Sequence, residues 1–380
     1  MVNVNCEDII QDLNFSTVRV WKDQHPGAKA IGYFPVYAPL EIIHACGMLP
    51  VGLNGAGDQL DIQHADARFG SFICSIVKTT LEMGMTKHLA PFDGLLFSTI
   101  CDSARNLCFV FKRNFPEQYI DFLHLPHNPN SEASIDFLVT EYARLQENLE
   151  RIGGAKLTET ALSESIETYN ENRRLTRQLY DERAQNPQLM RTSELYALIR
   201  AGNFLPVEEH TKLLKQAVND LPARTGKQRD SIRVVIEGSF CEQPPLDLIK
   251  ILEEAGCYIV DDDFVLGPRW FTKDVAVNGN PMRALADAYS NASVYSSVRH
   301  DFRNPRHKQL IEKARRRKAD AVILLIAKFC EPAYFDYVLF KQELEKEGIP
   351  HLLMEFEEKM FTFERLRTEI ETFVESLLFD

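Results

Sequence analysis

The chain has 380 residues, of which 45% are hydrophobic and 26% are charged, a composition that excludes a disordered chain and allows a sizeable core. Its formal net charge of -12 and its pI near 5.4 exclude broad electrostatic binding to nucleic acid or to an anionic membrane, because the negative charges would repel each other. The N-terminus does not have the pattern of a signal peptide, and the longest apolar stretch, Ala321–Ala327, is too short to span a bilayer. We therefore expect a cytoplasmic protein.

The first part of the chain, residues 1–130, has the pattern of an α/β domain. Short β-prone runs alternate with helix-like segments, as expected for a parallel sheet. Strands are predicted at residues 30–34, 49–53, 94–98 and 120–125. Helices are predicted at residues 39–46, 66–83 and 103–115.

The remainder of the chain divides into a helical region and a second α/β domain. From residue 131 to residue 228 the β pattern fades, and charged sequence with helical apolar spacing replaces it. Residues 229–380 return to the α/β pattern, with strands predicted at residues 233–238, 257–260, 321–327 and 351–355 and helices at 245–255, 332–347 and the C-terminus. The predicted fold is therefore α/β: two doubly wound, Rossmann-like parallel-sheet domains with an intervening helical region.

The two α/β domains contain similar segments, residues 93–102 and residues 320–331. Each has an acidic residue, an apolar strand, and then a cysteine followed by a carboxylate; the cysteines are Cys101 and Cys330. In open α/β sheets ligands bind beyond the carboxyl ends of the strands. We therefore expect the two cysteines to face each other across an interdomain cleft.

A third cysteine, Cys74, lies 27 positions before Cys101, inside or at the start of a helix. Eight cysteines in the chain are too sparse for a disulfide scaffold, so thiols or metal ligands are expected. Three thiolates suit a cubane with one iron left open, whereas an electron-carrying cluster normally has four cysteines. The chain has no C-x-x-C motif, which excludes a zinc ribbon and a ferredoxin run. The simpler interpretation of any one cysteine is a small buried hydrophobic residue.

The other cysteines are assigned from their neighbours. Cys241 also follows a strand, and we rank it as a pocket residue and the first substitute if one ligand is wrong. Cys46, Cys108 and Cys257 lie among apolar residues and are interpreted as core residues. Cys6 is expected in a surface helix at the N-terminus.

The sequence resembles the 2-hydroxyacyl-CoA dehydratase and benzoyl-CoA reductase family over nearly its whole length. Residues 32–50, GYFPVYAPLEIIHACGMLP, resemble the N-terminal signature of that family. The Cys74 segment, residues 98–102 and residues 328–332 match in order its three cluster-ligand positions. Within the family, the chain is most similar to the smaller of the two cluster-bearing subunits of ATP-dependent benzoyl-CoA reductase. Cys46 departs from the pattern, which has alanine there.

The resemblance implies a [4Fe-4S] cluster, held by Cys74, Cys101 and Cys330 in the interdomain cleft, that delivers single electrons to an acyl-CoA. For benzoyl-CoA, the aromatic ring would be reduced to a cyclic dienoyl-CoA. It also implies a larger homologous cluster-bearing subunit, ATP-hydrolysing electron-activator subunits, and ferredoxin as the upstream electron donor. This chain has no G-x-x-x-x-G-K-[ST] motif, so ATP would be hydrolysed on another chain.

Four residues are candidates for catalysis or substrate binding. His44 is a candidate proton donor, and Glu41 a second catalytic candidate; Tyr37 is expected to line the acyl pocket. Ser239 follows a strand, where its backbone N–H could bind an anionic group of the substrate. Each candidate has a simpler alternative. His44 could be a helix histidine that is hydrogen-bonded to the backbone. Glu41 and Tyr37 could cap and pack the helix, and Ser239 could belong to an ordinary turn after the strand.

Asp102 and Glu331, each next to a proposed ligand, are expected to orient the ligands rather than to act as acids. The basic run at residues 315–318 could contact CoA phosphates or a partner subunit, although such a run is usually a solvated helix face. Three alternative functions remain open. The chain could be a 2-hydroxyacyl-CoA dehydratase subunit acting through a ketyl radical, a non-catalytic electron relay, or a doubly wound protein without a metal.

Overall fold

The computed structural model describes residues 5–238, 241–294, 296, 299, 301–357, 360 and 362–379. In these ranges the chain forms two four-stranded parallel sheets, surrounded and connected by helices. All eight predicted strands are present, and the α/β class is confirmed. None of the helices in the described ranges is both long and apolar enough to cross a bilayer.

The first sheet consists of β1 (Ala30–Tyr33), β2 (Leu49–Gly52), β3 (Gly94–Ser98) and β4 (Tyr119–Leu123). Its order is β2-β1-β3-β4, so the direction of strand addition reverses between β1 and β3. The strands are almost entirely buried, as expected for a parallel sheet with both faces covered by helices. Such a reversal point is where open α/β sheets bind ligands.

The helices of the first part are α1 (Cys6–Gln11), α2 (Ser16–Gln24), α3 (Leu40–Ala45), α4 (Gln63–Asp66), α5 (Ser75–Met85) and α6 (Asp102–Asn114). The single helix predicted at residues 66–83 is wrong, because residues 67–74 are not helical and separate α4 from α5. Gly70 and Ser71 explain the interruption, since glycine disfavours helix interiors and serine competes for backbone hydrogen bonds. The interruption places Cys74 immediately before α5.

The helical region between the sheets is confirmed and contains α7 (Glu132–Arg151), α8 (Glu159–Gln185), α9 (Thr192–Ala201) and α10 (Val207–Asp220). Side chains cap two of these helices: Ser131 accepts a hydrogen bond from the N–H of Ser134, and Thr158 from that of Ala161. Helix α8 has 27 residues, which makes it about 40 Å long. It packs against α3 of the first part and against the second sheet.

The second sheet consists of β5 (Ile232–Glu237), β6 (Cys257–Asp261), β7 (Ala321–Ala327) and β8 (His351–Phe356), in the order β6-β5-β7-β8. This order repeats that of the first sheet. Its helices are α11 (Leu246–Glu254), α12 (Pro281–Ala292), α13 (Arg306–Arg317), α14 (Glu331–Lys346) and α15 (Glu364–Leu378). Our predictions contain no counterpart of α12.

Residues from the second half of the chain contribute to the hydrophobic core around the first sheet. The core around the first sheet includes Val265, Trp270 and Tyr289, which follow β6 in the sequence. The second sheet has separate apolar clusters that include Ile323 and Leu324, neighbours on β7 that point to opposite faces. The domain limits 1–130, 131–228 and 229–380 remain predictions.

Candidate functional site

The three cysteines predicted as ligands share one local position in the fold. Cys74 precedes α5, Cys101 precedes α6 and Cys330 precedes α14, so each stands at the N-cap of a helix. The Sγ of Cys101 accepts a hydrogen bond from the backbone N–H of Ala104 at 3.5 Å. Free N–H groups and the helix dipole favour negative charge at an N-terminus, and they lower the pKa of a cysteine placed there.

The same three cysteines are close enough to influence each other's ionisation. Burial raises the pKa of Cys74 well above its ordinary value, and negative charges on Glu242, Cys101 and Cys330 raise it further. Burial raises the pKa of Cys330 to about 12, and the charge of Cys101 contributes. Burial also raises the pKa of Cys101, against the effect of neighbouring backbone N–H groups. Each of the three thiols, although distant in sequence, therefore lies within electrostatic range of at least one of the others.

Cys241 belongs to the same group. Burial raises its pKa well above the ordinary value, and the charges of Cys101, Cys330 and Cys74 raise it further. Cys74, Cys101 and Cys241 pack against the core of the first sheet, whereas Cys330 packs against that of the second. We call these four residues the cysteine group. It lies where the two halves of the molecule meet, and each of its members is partly accessible.

The donor set of the cysteine group fits an iron–sulfur cluster. Among the described residues, no three His, Cys, Asp or Glu side chains form a group that could hold a metal ion. A cubane places a different demand on its ligands, because each cysteine sulfur binds a different iron and the sulfurs need not converge on one atom. The chemistry of the donor set agrees with such a cluster, because thiolates are its usual ligands and the helix N-termini here favour the thiolate form. A bound metal keeps such thiols deprotonated and overrides the effect of burial.

The carboxylate beside the cysteine group is Glu242, and our sequence predictions gave it no role. Glu242 is 2% exposed, and its Oε2 accepts a hydrogen bond from the backbone N–H of Ile76 at 3.2 Å. Its charge raises the pKa of both Cys74 and Cys330. The signal that could have identified it is the Cys241-Glu242 pair, a third copy of the cysteine–carboxylate pair that follows a strand.

The two carboxylates that we predicted as orienting residues lie in a different environment. The side chain of Asp102 is 87% exposed and forms an ion pair with Arg105 at 3.0 Å. Glu331 is also exposed, at the first residue of α14. Both are exposed, although the charge of Asp102 contributes to the raised pKa of Cys101. Their expected role in orienting the ligands remains a prediction.

Tyr37 is fully buried close to the cysteine group. Its hydroxyl donates to the carbonyl of Val294 at 2.8 Å and contacts the Oγ of Ser296 at 3.2 Å. Its ring meets that of Trp270 edge-on, with a centroid distance of 5.8 Å. Burial raises the pKa of Tyr37 to about 12, and the charge of Cys241 is among the contributing influences. The side chain of Tyr37 is therefore held in place by its hydrogen bonds and ring contacts.

Glu41 and His44, our catalytic candidates on α3, are bound to the helical region. Glu41 is fully buried and pairs with the equally buried Arg173 of α8. The two ring nitrogens of His44 lie 2.9 Å from the Oγ of Ser165 and 2.9 Å from the Oε1 of Glu208. Their partners Arg173, Ser165 and Glu208 all belong to the helical region. Our candidate Ser239 lies outside the described residues.

A cavity of about 530 Å³ lies beside the carboxyl ends of β5 and β6, between α8 and α13. Arg306 lines this cavity and is close enough to Cys330 for its charge to act on that thiol. Its guanidinium donates to Glu237 and Asp263 at 2.9 Å each and to Asp336 of α14 at 2.8 Å. Its positive charge lowers the pKa of Cys330, against the stronger effect of burial. The sequence offered no signal for Arg306, since its partners come from three separate segments.

The carboxylates around Arg306 do not have equal acidity. Burial and the neighbouring Glu237 raise the pKa of Asp263 to about 7. Burial opposes ionisation of Glu237 as well, but Lys313 and Arg306 together hold its pKa below the ordinary value. One carboxylate of this pair therefore carries a proton up to near-neutral pH while the other stays charged.

Comparison with known proteins identifies the family. The family model described as 2-hydroxyglutaryl-CoA dehydratase, D-component, matches residues 35–377. The chain belongs to this family. It is 38% identical to a benzoyl-CoA reductase subunit of Thauera aromatica, over 98% of this chain and 97% of the relative. It is 32% identical to the (R)-phenyllactyl-CoA dehydratase beta subunit of Clostridium sporogenes, over 93% of both chains.

The beta subunit of lactoyl-CoA dehydratase from Anaerotignum propionicum is similar to the same extent, at 33% identity over 92% of both chains. The predicted family is confirmed by these matches. The prediction of an oxidoreductase subunit agrees with them.

Proposed function

We propose that this chain is the iron–sulfur subunit of an ATP-dependent benzoyl-CoA reductase in the cytoplasm, with a [4Fe-4S] cluster held by Cys74, Cys101 and Cys330 at the cleft between the two halves. The observation that carries the proposal is the cysteine group. Three thiols at helix N-cap positions, within electrostatic range of one another, support it in a chain 38% identical to a subunit of benzoyl-CoA reductase.

When bound, the cluster supplies low-potential single electrons to a thioester-activated substrate. The residues of this chain provide the environment. Helix N-termini stabilise the thiolates, and the surrounding apolar cores exclude water. The positive charge of Arg306 and the negative charge of Glu242 act on the same group from two sides. Their balance is a means by which the protein sets the reduction potential.

Tyr37 is the candidate substrate-side residue that the structure supports best. Its hydroxyl is already hydrogen-bonded and its ring is held between aromatic neighbours, so it offers a fixed wall rather than a mobile acid. Glu41 acts on it indirectly in this proposal, because its ion pair with Arg173 fixes α3 immediately after the Tyr37 segment. The roles of His44 as a proton donor and of Ser239 in substrate binding remain predictions.

The proposal includes partners. The relatives are named as subunits, which supports a homologous, larger cluster-bearing partner. An ATP-hydrolysing activator and a ferredoxin would supply the electrons, since this sequence contains no P-loop motif.

The test is an assay of the complex prepared under strict anoxia. Iron and acid-labile sulfide analysis is expected to give about four irons for this chain. With ATP and a strong reductant, benzoyl-CoA should be converted to a cyclic dienoyl-CoA. Absence of sulfide would remove the redox role altogether.

A second candidate function, a 2-hydroxyacyl-CoA dehydratase subunit acting through a ketyl radical, is favoured by the family match and by the two dehydratase relatives. The same preparation separates the candidates, since a dehydratase would convert lactoyl-CoA or phenyllactyl-CoA and leave benzoyl-CoA unchanged.

A further inference from the structure

The topology of the second sheet brings the segment before Cys241 close to the segment before Cys330. Strands β5 and β7 are parallel neighbours, with Glu237 opposite Leu324, so the chain segments leaving them run side by side. Gly238 follows β5 with φ +117°, and a Cβ there would lie 2.9 Å from the carbonyl oxygen of Leu325. Only glycine permits this close approach of the two segments.

The next residue after Cys241 fixes the other side of this loop. Glu242 accepts a hydrogen bond from the N–H of Ile76, in the first turn of α5, two residues beyond Cys74. Cys241 itself packs against the core of the first sheet, although its strand belongs to the second. The described residues on either side of Cys241 therefore contact both halves, since Gly238 approaches Leu325, five residues before Cys330, and Glu242 contacts Ile76, two residues after Cys74.

We propose that Cys241 is a fourth thiolate ligand of the cluster, so that every iron in this subunit is bound by a cysteine. This inference depends on the proposed function and revises our sequence-based expectation of an open iron. A cluster with four cysteine ligands has no site for a substrate atom and serves to carry electrons. The acyl group would then bind at an open iron on the partner subunit, and Tyr37 would enclose the cluster of this chain instead of lining the acyl pocket.

The remaining cysteines show that this arrangement is not a general property of buried thiols. Cys108 lies in α6, where its thiol donates to the carbonyl of Asp121, and Cys257 lies in β6. Burial raises the pKa of both thiols, but no other cysteine contributes to either effect. In Cys241, by contrast, three other cysteines contribute.

The experiment uses the anaerobic complex and limited oxidation by ferricyanide. An open cubane loses its unligated iron on mild oxidation: one electron passes to ferricyanide, one Fe²⁺ is released, and a paramagnetic three-iron cluster remains. A four-cysteine cluster resists this step. In wild-type complex we expect at most one three-iron spin, from the partner's cluster, by electron paramagnetic resonance. Two spins per complex would overturn the proposal without any variant.

Variants assign the effect to Cys241. Cys241→Ala should add about one three-iron spin per complex and release about one further iron, whereas the control Cys108→Ala should match wild type. Cys241→Ser, close in volume, is a second variant in case the alanine variant does not fold. An unchanged spin count in a folded Cys241 variant would refute the proposal. If wild-type protein contains no iron or sulfide, the proposed function fails as well, which distinguishes the two failures.

Discussion

The two sheets of this protein have the same strand order and use it differently. In both, the strand on the far side of the reversal point, β3 or β7, is followed three residues later by a cysteine at the N-cap position of the next helix. The loops after the first strands differ. The loop after β1 carries Tyr37, with φ +63°, and the loop after β5 carries Cys241.

The charges near the site are distributed just as unevenly. The second half contributes Glu237, Asp263, Arg306 and Lys313, all near the ends of its strands, whereas the first half contributes mainly aromatic and apolar side chains there. The difference indicates a division of labour. The first half surrounds the cysteine group with apolar and aromatic side chains, and the second half supplies the charged side chains that act on it.

Replacing one cysteine in each half tests whether both halves are needed to hold the cluster. The loss of cluster is the largest effect that we expect. Cys101→Ala and Cys330→Ala should each abolish most of the cluster, because a cubane held by fewer thiolates is readily lost. The measurement is iron and sulfide per chain under anoxia, with the absorption of the cluster as a second readout.

The matched control is Cys46→Ala, a buried cysteine outside the cysteine group, at a position where the family pattern has alanine. It should retain the full iron content. A variant at position 330 that keeps its iron while the variant at position 101 loses it would show that only one half holds the cluster.

Helix α8 joins the halves with two buried arginines, and they should not be equally important. Arg173 is the only ion-pair partner of Glu41 in the described part of the chain, whereas Asp262, the partner of Arg183, also pairs with Arg269. Arg173→Met leaves a buried carboxylate alone and should lower the free energy of unfolding by about 3–5 kcal/mol. Arg183→Met should lower it less. Urea unfolding of both variants measures the difference.

Arg174, an exposed arginine of α8 that pairs with Glu167 and Asp274, serves as the control, since Arg174→Met breaks only surface ion pairs and should change stability by less than about 1 kcal/mol. Equal losses for Arg173→Met and Arg183→Met would contradict the proposed inequality.

Sequence alone predicted the frame of the molecule well for a physical reason. Buried parallel strands such as β7 are continuous apolar runs, and their pattern does not depend on distant residues. The cysteine–carboxylate echo also placed Cys101 and Cys330 correctly at strand ends, since that position is set by local sequence and sheet topology.

What sequence could not predict depends on contacts between distant segments. The exposure of Asp102 and Glu331 is one example, because the side chains at a helix start can turn to solvent although they are adjacent to cysteines in the sequence. Glu242 and Arg306 act on the cysteines because tertiary packing brings four segments together. The break before α5 was missed because helical periodicity continued through Gly70.

The pH dependence of stability should also differ between the halves. Burial and Glu237 raise the pKa of Asp263 to about 7, so folding favours its protonated form, and this contribution is lost as the pH rises from about 4 to about 7. Burial opposes ionisation of Asp121 in β4, but Arg144 holds its pKa below the ordinary value, so its contribution is lost as the pH falls. Asp263→Asn should reduce the fall in the free energy of unfolding between about pH 4 and about pH 7 by up to about 4 kcal/mol.

The check is the urea midpoint of wild type, Asp263→Asn and Asp121→Asn between about pH 3 and about pH 8. Asp121→Asn should change only the loss of stability at acidic pH. A wild-type protein whose stability does not fall between about pH 5 and about pH 7 would contradict the assignment of Asp263.

The smallest expected effects belong to the exposed carboxylates that stand next to cysteines in both halves. Asp102→Asn and Glu331→Gln should change stability by about 0.5 kcal/mol, since each removes one charge from a helix N-terminus in contact with solvent. The reduction potential of the cluster should hardly move, because water and salt screen these charges. Glu242→Gln should raise that potential distinctly, since it removes a buried negative charge beside the thiolates. Redox titration of the three variants gives the order, and equal shifts would show that adjacency in sequence, rather than burial, determines which carboxylate acts on the cluster.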